Sequence, residues 1–374
     1  MKYLSSLKSK NLSGQICLLR ADFNIEKEEL SGKGVHPRIS AVLPAINFLI
    51  ERGVKVVILS HRGRPDPKTY KLKPKTYTLK PFAAILSGLL KEPVEFIELD
   101  KMNSLKKSDF IKSWNNIFLL ENLRFNPGED KNDSKFAKKL SLLGDFYINE
   151  AFAFCHRPAA SVVGIPKLLP SYAGFSLESE IKNLSMAMVN PKKPLIVILG
   201  GIKVADKIGL IKNFWKKADK FLIGGGIANT FFAAQKMPMG NSLYEKDKIV
   251  FARKLLKSAK VILPVDSAIK GGSILDIGPE TEKEYTKIIN SAKTIIWNGP
   301  MGYIEDKKFR HGSEAILKAI LKSKAFSVIG GGETTAILKP KTYKPKANIF
   351  ISTGGGAMLE FLAGKNLPGI KALK

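Results

Sequence analysis

The stretch LIVILGGIKVADK, residues 195–207, joins a five-residue apolar run to a pair of glycines and then to a segment that can begin a helix. Similar apolar runs recur along the whole chain, with segments of helical period between them. The strands of a parallel sheet are covered on both faces, so they read as near-continuous apolar runs. The pattern therefore predicts parallel sheets. The predicted strands are residues 16–20, 55–59, 94–98, 116–120, 145–149, 195–199, 220–224, 261–265, 294–298, 326–330 and 348–352.

A chain of 374 residues is longer than one hydrophobic core usually serves. Its predicted strands fall into two sets of about equal size, separated by one amphipathic helical stretch that two prolines precede. We therefore predict an α/β protein with two doubly wound, parallel-sheet (Rossmann-like) domains joined by a hinge helix. The predicted bounds are 1–170 for the N-terminal domain, 171–189 for the hinge helix and 190–361 for the C-terminal domain. The Lys/Pro/Thr-rich residues 66–81 are predicted to form an exposed loop.

Composition excludes several classes of protein. Hydrophobic residues make up 44% and charged residues 25% of the chain, which are ordinary globular values and exclude a disordered or fibrous protein. Two cysteines cannot build a disulfide framework and indicate a reducing compartment. No apolar run approaches the roughly 18 residues of a membrane span, and the first residues lack the apolar core of a signal peptide. A cytoplasmic protein without a membrane partner is predicted.

The formal net charge of +28 raises the alternative of a nucleic-acid-binding protein. The excess is spread evenly along the chain and forms no basic arm, which favours a solvated, lysine-rich surface. We therefore do not expect a nucleic-acid partner. The alternative predicts an affinity for nucleic acid that falls steeply with salt.

Arginine is rare, at nine of the 61 basic residues, and seven of the nine precede residue 160. A chain that uses lysine elsewhere needs arginine where a rigid fork must hold a phosphate or carboxylate. Several of these arginines follow predicted strands directly, at the edge where α/β sheets bind ligands. The first half is therefore predicted to hold a polyanion pocket. Its candidates are Arg20, Asp22, Asn24, Arg38, His61, Arg62, Arg64, Arg124, His156 and Arg157.

In the second half the strand ends are rich in glycine, at 200–207, 224–230, 298–302, 330–335 and 353–357. Glycines let the backbone approach a phosphate, and a following helix offers free N–H groups. Five such loops on one sheet edge predict a nucleotide site. None of them matches the P-loop or the dinucleotide fingerprint.

Three charged side chains suit phosphate chemistry at this edge. Lys203 and Lys207 lie four residues apart where a helix should begin, so both could reach phosphates. Glu333 could hold a magnesium-bound phosphate. The sequence shows no Ser-His-Asp arrangement, no Cys/His metal spacing and no paired catalytic carboxylates. A reaction that depends on charge neutralisation and positioning, such as phosphoryl transfer, is therefore favoured.

Ten motifs carry a resemblance to a known family. They are SHRGRP, LLENLRF, AFCHR, GGIKVADKI, GGGIANTFF, LPVD, DIGPET, WNGPMG, IGGGETT and STGGGA. In this order they resemble the phosphoglycerate kinase family over nearly the whole chain. The resemblance implies a monomeric glycolytic phosphotransferase, without an obligate protein partner. Its implied reaction moves the acyl phosphate of 1,3-bisphosphoglycerate reversibly to MgADP, giving 3-phosphoglycerate and ATP.

The resemblance also assigns roles to residues, and implies that the domains close about the hinge while residues 362–374 return to the N-terminal domain. The implied substrate-binding residues are Asp22, Phe23, Asn24, Arg38, His61, Arg62, Gly63, Arg64, Arg124, His156 and Arg157. The implied nucleotide-binding residues are Gly201, Lys203, Lys207, Gly225, Asn298, Pro300, Glu305, Gly331, Gly332, Glu333 and Thr334, with Glu305 on the ribose. The implied catalytic residues are Arg38, Lys203, Gly355 and Gly356, and Glu333 would hold Mg²⁺ through the nucleotide phosphates.

The chain departs from the family pattern at several positions. Glu333 stands where the family usually has Asp, and Asn24-Ile25-Glu26 replaces the usual Asn-Val-Pro. Residues 150–157 read EAFAFCHR in place of the usual DAFGTAHR, so the packing behind the His-Arg pair should differ. Arg62 replaces an apolar residue and is either an additional phosphate contact or a surface residue. These changes permit a second alternative, a relative that binds nucleotide without catalysis, although the intact Arg38 and Lys203 argue against it.

Overall fold

The computed structural model describes residues 1–30, 34–66, 74–102, 104–338 and 346–374 and contains a parallel sheet in each half of the chain. Two compact units divide it: residues 1–181 with 366–374, and residues 182–365. The predicted α/β class with two parallel sheets is confirmed.

The first unit is built on a six-stranded parallel sheet. Its strands are β1 (Ile16–Arg20), β2 (Lys55–Leu59), β3 (Val94–Ile97), β4 (Ile117–Leu120), β5 (Phe146–Asn149) and β6 (Ser171–Ala173), in the order β3-β4-β2-β1-β5-β6. Its helices are α1 (Lys27–Leu30), α2 (Pro37–Ile50), α3 (Pro74–Tyr77), α4 (Lys80–Leu90), α5 (Leu99–Met102), α6 (Lys107–Lys112), α7 (Ser134–Ser141) and α8 (Phe175–Met188). Every residue of β1 is buried, as expected for a central strand covered on both faces.

Two predicted segments differ from the structure. The predicted hinge helix 171–189 begins only at Phe175, because residues 171–173 form β6 and pair with β5. The Glu150 carboxylate fixes this start by accepting from the backbone N–H of Ser176 at 2.7 Å. The predicted exposed loop 66–81 is helical at α3 and at the start of α4, while its residues 67–73 lie outside the described ranges.

The second unit contains another six-stranded parallel sheet and an antiparallel hairpin. Its strands are β7 (Leu195–Leu199), β8 (Lys220–Ile223), β9 (Val261–Ile262), β10 (Ser267–Lys270), β11 (Ser273–Ile277), β12 (Thr294–Asn298), β13 (Phe326–Gly330) and β14 (Ile349–Ser352). The sheet order is β14-β13-β12-β7-β8-β9, and β10 pairs with β11. Its helices are α9 (Ile208–Phe214), α10 (Gly225–Ala234), α11 (Ile249–Leu255), α12 (Pro279–Ser291), α13 (His311–Lys322), α14 (Gly332–Ala336) and α15 (Gly356–Leu362).

The last helix, α16 (Pro368–Lys371), belongs to the first unit. The backbone N–H of Gly369 donates to the Cys155 carbonyl oxygen at 2.9 Å. A Cβ at Gly369 would lie 2.9 Å from the Cys155 Cα, so glycine is required for this close approach. Within the described ranges, no helix combines the length and the apolar character that crossing a bilayer would require.

Candidate functional site

Side chains near the carboxyl ends of neighbouring strands in the first unit line a cavity of about 470 Å³, which we call the anion cavity. Most of them follow β4, β2, β1 and β5, which are adjacent in the sheet. Parallel strands end at the same edge, so residues that are distant in sequence meet there. The lining residues are Asp22, Asn24, Glu26, Arg38, His61, Gly63, Arg64, Tyr77, Arg124, Ala153, Phe154, His156 and Arg157.

The segment 21–26, which leaves β1, alternates between the core and the anion cavity. The side chains of this segment alternate between buried and more exposed positions, so one short segment serves both. Its core side is Ala21, Phe23 and Ile25, and its cavity side is Asp22, Asn24 and Glu26. Phe23 therefore supports the cavity from behind and stacks on Phe82 with the ring centroids 5.1 Å apart.

Arg38 is positioned by the start of α2. The His36 side chain caps this helix by accepting from the Arg38 backbone N–H at 3.2 Å. The Arg38 guanidinium donates to the Asn24 carbonyl oxygen and lies 3.5 Å from the Asp22 carboxylate. The helix cap and segment 21–26 together hold the Arg38 guanidinium at the wall of the anion cavity.

Arg124 follows β4 and is anchored by the loop that follows β2. Its Nη1 donates to the Gly63 carbonyl oxygen at 2.6 Å, and its Nε donates to Asp130 at 3.1 Å. Burial lowers the pKa of Arg124, while Asp130 opposes that shift. Gly63 has φ +61°, and a Cβ there would lie 2.2 Å from the Tyr77 ring. The loop that positions Arg124 therefore requires glycine at this position.

His61 is buried and lies against an aromatic ring and a guanidinium. Its ring lies 4.1 Å from the Phe154 ring, centroid to centroid. Its Nδ1 lies 2.9 Å from Nη2 of Arg20, a residue with no exposed surface. Burial, followed by the positive charges of Arg20 and Arg124, lowers the pKa of His61 well below its ordinary value. His61 is therefore neutral at physiological pH.

Phe154 stands where the family usually has Thr, and it forms an aromatic wall behind the cations. The guanidinium carbons of Arg20 and Arg124 lie 4.7 Å and 5.2 Å from its ring centroid. A cation over an aromatic face is stabilised by the ring quadrupole, so Phe154 helps to keep positive charge at the anion cavity. The sequence indicated different packing here but not this role.

Two predicted substrate residues do not line the anion cavity. Phe23 lies in the core, and Arg62 is buried, with its Nε donating to the Ile25 carbonyl oxygen at 2.8 Å. Arg62 is therefore neither a surface residue nor a lining residue of the cavity in this structure. Conversely, Glu26, Tyr77, Ala153 and Phe154 line the cavity without having been predicted. The alternation of residues 21–26 could have indicated Glu26.

The second unit holds a pocket of about 280 Å³ at the carboxyl ends of its strands, which we call the glycine pocket. Five predicted residues line it, namely Gly201, Gly225, Pro300, Glu305 and Glu333. Most of the remaining wall is apolar, with Ile202, Phe232, Leu243, Ile274, Leu275, Met301 and Tyr303 among its residues. A mostly apolar wall with a few polar groups is typical of a small-molecule site.

Backbone hydrogen bonds bring the glycine loops together. The N–H of Gly201 donates to the Pro300 carbonyl oxygen at 2.8 Å, and the N–H of Gly225 donates to the Met301 carbonyl oxygen at 2.8 Å. Gly299 has φ +95°, and a Cβ there would lie 2.1 Å from the Gly200 carbonyl oxygen. The loops are therefore packed backbone against backbone, at a separation that only glycine permits.

The other predicted nucleotide residues lie outside the lining of the glycine pocket, and three of them hold its loops. The buried Lys207 donates through Nζ to the Asn298 side-chain oxygen, and Asn298 donates to the Gly330 carbonyl oxygen at 2.9 Å. The Thr334 hydroxyl accepts from the Gly299 N–H at 2.8 Å. Burial lowers the pKa of Lys207, opposed by Asp206 and Glu333. Lys203 and Gly332 are exposed, and Gly331 precedes α14 with φ +104°.

The hairpin β10–β11 forms one wall of the glycine pocket, and it was not predicted from the sequence. It contributes six lining residues, Ser267, Ser273, Ile274, Leu275, Asp276 and Ile277. Its turn is Gly271-Gly272, both with positive φ. A Gly-Gly pair between two short β-prone runs is a hairpin signal, so the sequence did contain it.

The fold and the two pockets define a class: α/β proteins that bind phosphate-bearing ligands at the carboxyl ends of parallel strands. The sequence model described as "Phosphoglycerate kinase" matches residues 7–365. The chain belongs to the phosphoglycerate kinase family, and the resemblance predicted from its motifs is confirmed.

Individual relatives match over almost their full length. The phosphoglycerate kinase of Herpetosiphon aurantiacus is 40% identical over 388 residues, covering 96% of each chain. That of Lacticaseibacillus casei is 43% identical over 384 residues, covering 95% of each. The solved phosphoglycerate kinase of Coxiella burnetii has a TM-score of 0.83 at 36% identity and 98% coverage of both chains. That of Pyrococcus horikoshii has a TM-score of 0.83 at 33% identity, covering 100% of this chain and 98% of its own.

Proposed function

We propose that this chain catalyses the reversible transfer of a phosphoryl group from 1,3-bisphosphoglycerate to MgADP, giving 3-phosphoglycerate and ATP. The observation that carries this proposal is the convergence of four arginines on the anion cavity of the first unit. They are Arg38, Arg64, Arg124 and Arg157. Such a concentration of guanidinium groups matches a small ligand that bears both a phosphate and a carboxylate or acyl phosphate.

The proposed step needs no general base. An oxygen of the terminal ADP phosphate attacks the phosphorus of the acyl phosphate, and the bond from phosphorus to the carboxyl oxygen breaks. The electron pair leaves with the carboxylate, so both the attacking and the leaving oxygen are anionic and no proton moves. Catalysis then depends on positioning and on charge neutralisation. Arg38 and Lys203 are the proposed neutralising groups, as the family resemblance implies.

The backbone of the second unit adds proposed donors. A Cβ at Gly355 or Gly356 would meet nothing within 4 Å, so there is open space beside this backbone, and its N–H groups are the proposed donors. Lys207, Asn298, Gly331, Gly332 and Thr334 are proposed to hold the phosphate-binding loops in place. Glu305 is proposed on the ribose, beside the apolar wall that would take the base.

Magnesium enters the proposal as part of the nucleotide substrate. Across the described ranges, no group of three or more His, Cys, Asp or Glu residues could hold a metal ion. We therefore propose that Mg²⁺ is held mainly by the nucleotide phosphates. Glu333, on the wall of the glycine pocket, would supply one protein carboxylate. Mg²⁺ typically binds in this way, through one or two carboxylates plus substrate phosphates.

A coupled assay with 3-phosphoglycerate, ATP and Mg²⁺ tests the proposed reaction, with Arg38→Ala beside Arg52→Ala. Arg52 is the matched control because its Nη1 donates to the Phe48 carbonyl oxygen, outside the anion cavity. Loss of one neutralising group should lower kcat roughly 10²-fold in Arg38→Ala, with little change in the control. Equal effects in both variants would contradict the assigned role. No wild-type activity, with MgATP still binding in calorimetry, would support the non-catalytic relative instead.

Glu333→Asp tests the metal assignment. Mg²⁺ requires near-ideal octahedral geometry, so a carboxylate one methylene longer should bind it less well than aspartate does. We expect kcat of the variant to be higher than that of wild type. Alternatively, the Mg²⁺ concentration that gives half-maximal rate, divided by the corresponding Mn²⁺ concentration, should be lower in the variant than in wild type. Unchanged turnover and unchanged metal dependence would contradict this expectation.

We also propose that the protein acts as a cytoplasmic monomer without an obligate protein partner or a nucleic-acid partner. The even distribution of its positive charge supports the last point. Light scattering after size exclusion should give the 41.2 kDa mass of one chain. A dimer mass would contradict it, as would duplex DNA binding at physiological salt.

A further inference from the structure

Arg20 is the first of the chain's rare arginines, and it is absent from the lining of the anion cavity. Its side chain is fully buried, yet each part of its guanidinium has a polar contact. Nε donates to the Ser161 hydroxyl at 2.8 Å, Nη1 donates to the Ala21 carbonyl oxygen at 2.5 Å, and Nη2 lies 2.9 Å from Nδ1 of His61. A buried arginine held this tightly has a defined orientation toward the histidine.

A buried carboxylate fixes this arrangement from behind. Glu129 lies 3.7 Å from Arg20 and is fully buried. It accepts from the Ser161 backbone N–H at 2.9 Å and from the Ser161 hydroxyl at 2.5 Å. The hydroxyl therefore points its proton at Glu129 and its lone pair at Arg20. Glu129 compensates the charge of Arg20 and, through Ser161, sets its direction.

The contact between Arg20 and His61 decides the state of the imidazole. A guanidinium has only N–H donors, so Nδ1 of His61 must be the acceptor and cannot carry a proton. The proton of the neutral ring is then on Nε2. Protonating Nδ1 would place two N–H groups against each other, in a ring that already faces four cations. These are Arg20 from β1, Arg38 from α2, Arg124 from the loop after β4 and Arg157 from the loop after β5.

We propose that Arg20 is a positioning residue that locks His61 as its neutral Nε2–H tautomer, so that His61 gives an anion a hydrogen-bond donor whose charge does not change with pH. Asp22, Glu26, Arg64 and His156 are the other titratable or charged groups that line the anion cavity beside His61 and Arg38, Arg124 and Arg157. The positive charge that attracts the anion then comes from the arginines, and His61 orients the anion through the hydrogen bond that Nε2–H donates. This inference rests on the proposed function only in treating the cavity as an anion site.

Histidine-selective ¹⁵N NMR of the full chain tests the tautomer without any activity. In the ligand-free protein, Nδ1 of His61 should have the shift of an unprotonated nitrogen and Nε2 that of a protonated one, both constant from about pH 5.5 to about pH 8. A titrating His61 in that range, or a proton on Nδ1, would overturn the proposal.

The variant that breaks the lock must avoid leaving Glu129 as an unpaired buried charge, which could unfold the protein. Arg20→Gln with Glu129→Gln removes both charges together, and Arg52→Gln serves as the control. In the double variant the pKa of His61 should rise, because the positive charge that lies against Nδ1 is removed. The His61 nitrogen shifts should then change with pH at the acid end of the measured range.

Sulfate, which stays dianionic across this range, reports the consequence for binding. Its affinity should rise from about pH 8 to about pH 6 at least threefold more in the double variant than in wild type, because His61 gains a charge there. The Arg52→Gln control should follow wild type. If the double variant folds and keeps the wild-type His61 shifts and sulfate profile, Arg20 is only structural and the proposal fails. The proposed phosphotransferase activity would be untouched by that result.

Discussion

The anion cavity and the glycine pocket both suit phosphate-bearing ligands, but they are built from different parts of the chain. In the anion cavity, side chains from several strand ends converge, and their charges are held by side-chain partners, such as the exposed Asp130 beside Arg124. In the glycine pocket, the loops contact one another through backbone atoms and leave little room for side chains. A site of the first kind should be sensitive to loss of charge, and a site of the second kind to gain of volume.

The largest expected effect is a gain of volume at Gly299. In Gly299→Ala the new Cβ would lie 2.1 Å from the Gly200 carbonyl oxygen, and the residue would keep φ +95°. Because the neighbour is backbone, the free energy of unfolding should fall by about 3 kcal/mol or more in urea denaturation. Gly332→Ala is the matched control, since its Cβ would meet nothing within 4 Å. Comparable losses in the two variants would contradict the close-packing argument.

Loss of charge at Arg124 is the corresponding test of the anion cavity. Arg124→Ala removes a guanidinium held by Gly63 and Asp130, and a hydrogen bond to a charged group contributes about 1.5–3 kcal/mol. The KM for 3-phosphoglycerate should therefore rise roughly 10- to 100-fold. The KM for ATP should stay within about twofold, because the nucleotide is expected at the other pocket. If both constants rise together, Arg124 acts on stability rather than on substrate binding.

Glu26 should give a smaller effect of opposite sign. Its carboxylate lines a cavity otherwise rich in cations, so it weakens the attraction for an anion. Glu26→Gln should lower the KM for 3-phosphoglycerate about threefold. Glu28→Gln, two residues along and outside the lining, is the control. A rise in KM would mean that Glu26 binds the substrate directly.

The last expected effect depends on pH and concerns Glu150, whose side chain lies at the start of α8. Burial raises its pKa to about 8 from an ordinary value of 4.5. The folded state therefore binds the proton more tightly than the unfolded state, and the stability that this contributes is lost as pH rises toward 8. Glu150→Gln should be more stable than wild type at pH 8, with the difference shrinking toward pH 5. A difference that is constant with pH would contradict the raised pKa.

The parallel strands could be predicted because burial on both faces produces a visible apolar run. The strand β6 could not, since Ser171-Tyr172-Ala173 is short and partly exposed at the sheet edge. The hairpin β10–β11 is also partly exposed, and its only signal was the Gly-Gly turn. Short edge strands gain stability from pairing rather than from burial, so hydrophobic pattern alone does not find them.

The two sites were also predictable only in part, where local sequence determines the position of a residue. Residues directly after strands could be assigned to the anion cavity because strand ends share an edge. The burial of Arg62 against Ile25, and of Arg20 against His61, depends on tertiary contacts that sequence neighbours do not reveal. Likewise, Tyr77 reaches the anion cavity from α3, in a stretch whose composition indicated a loop.

The alternation of residues 21–26 has a consequence for how this segment can change in evolution. Odd positions fill the core and even positions face the anion cavity. An insertion or deletion of one residue would exchange the two sets, sending Phe23 toward the anion cavity and a carboxylate into the core. The length of this segment is therefore constrained by the core as well as by the cavity.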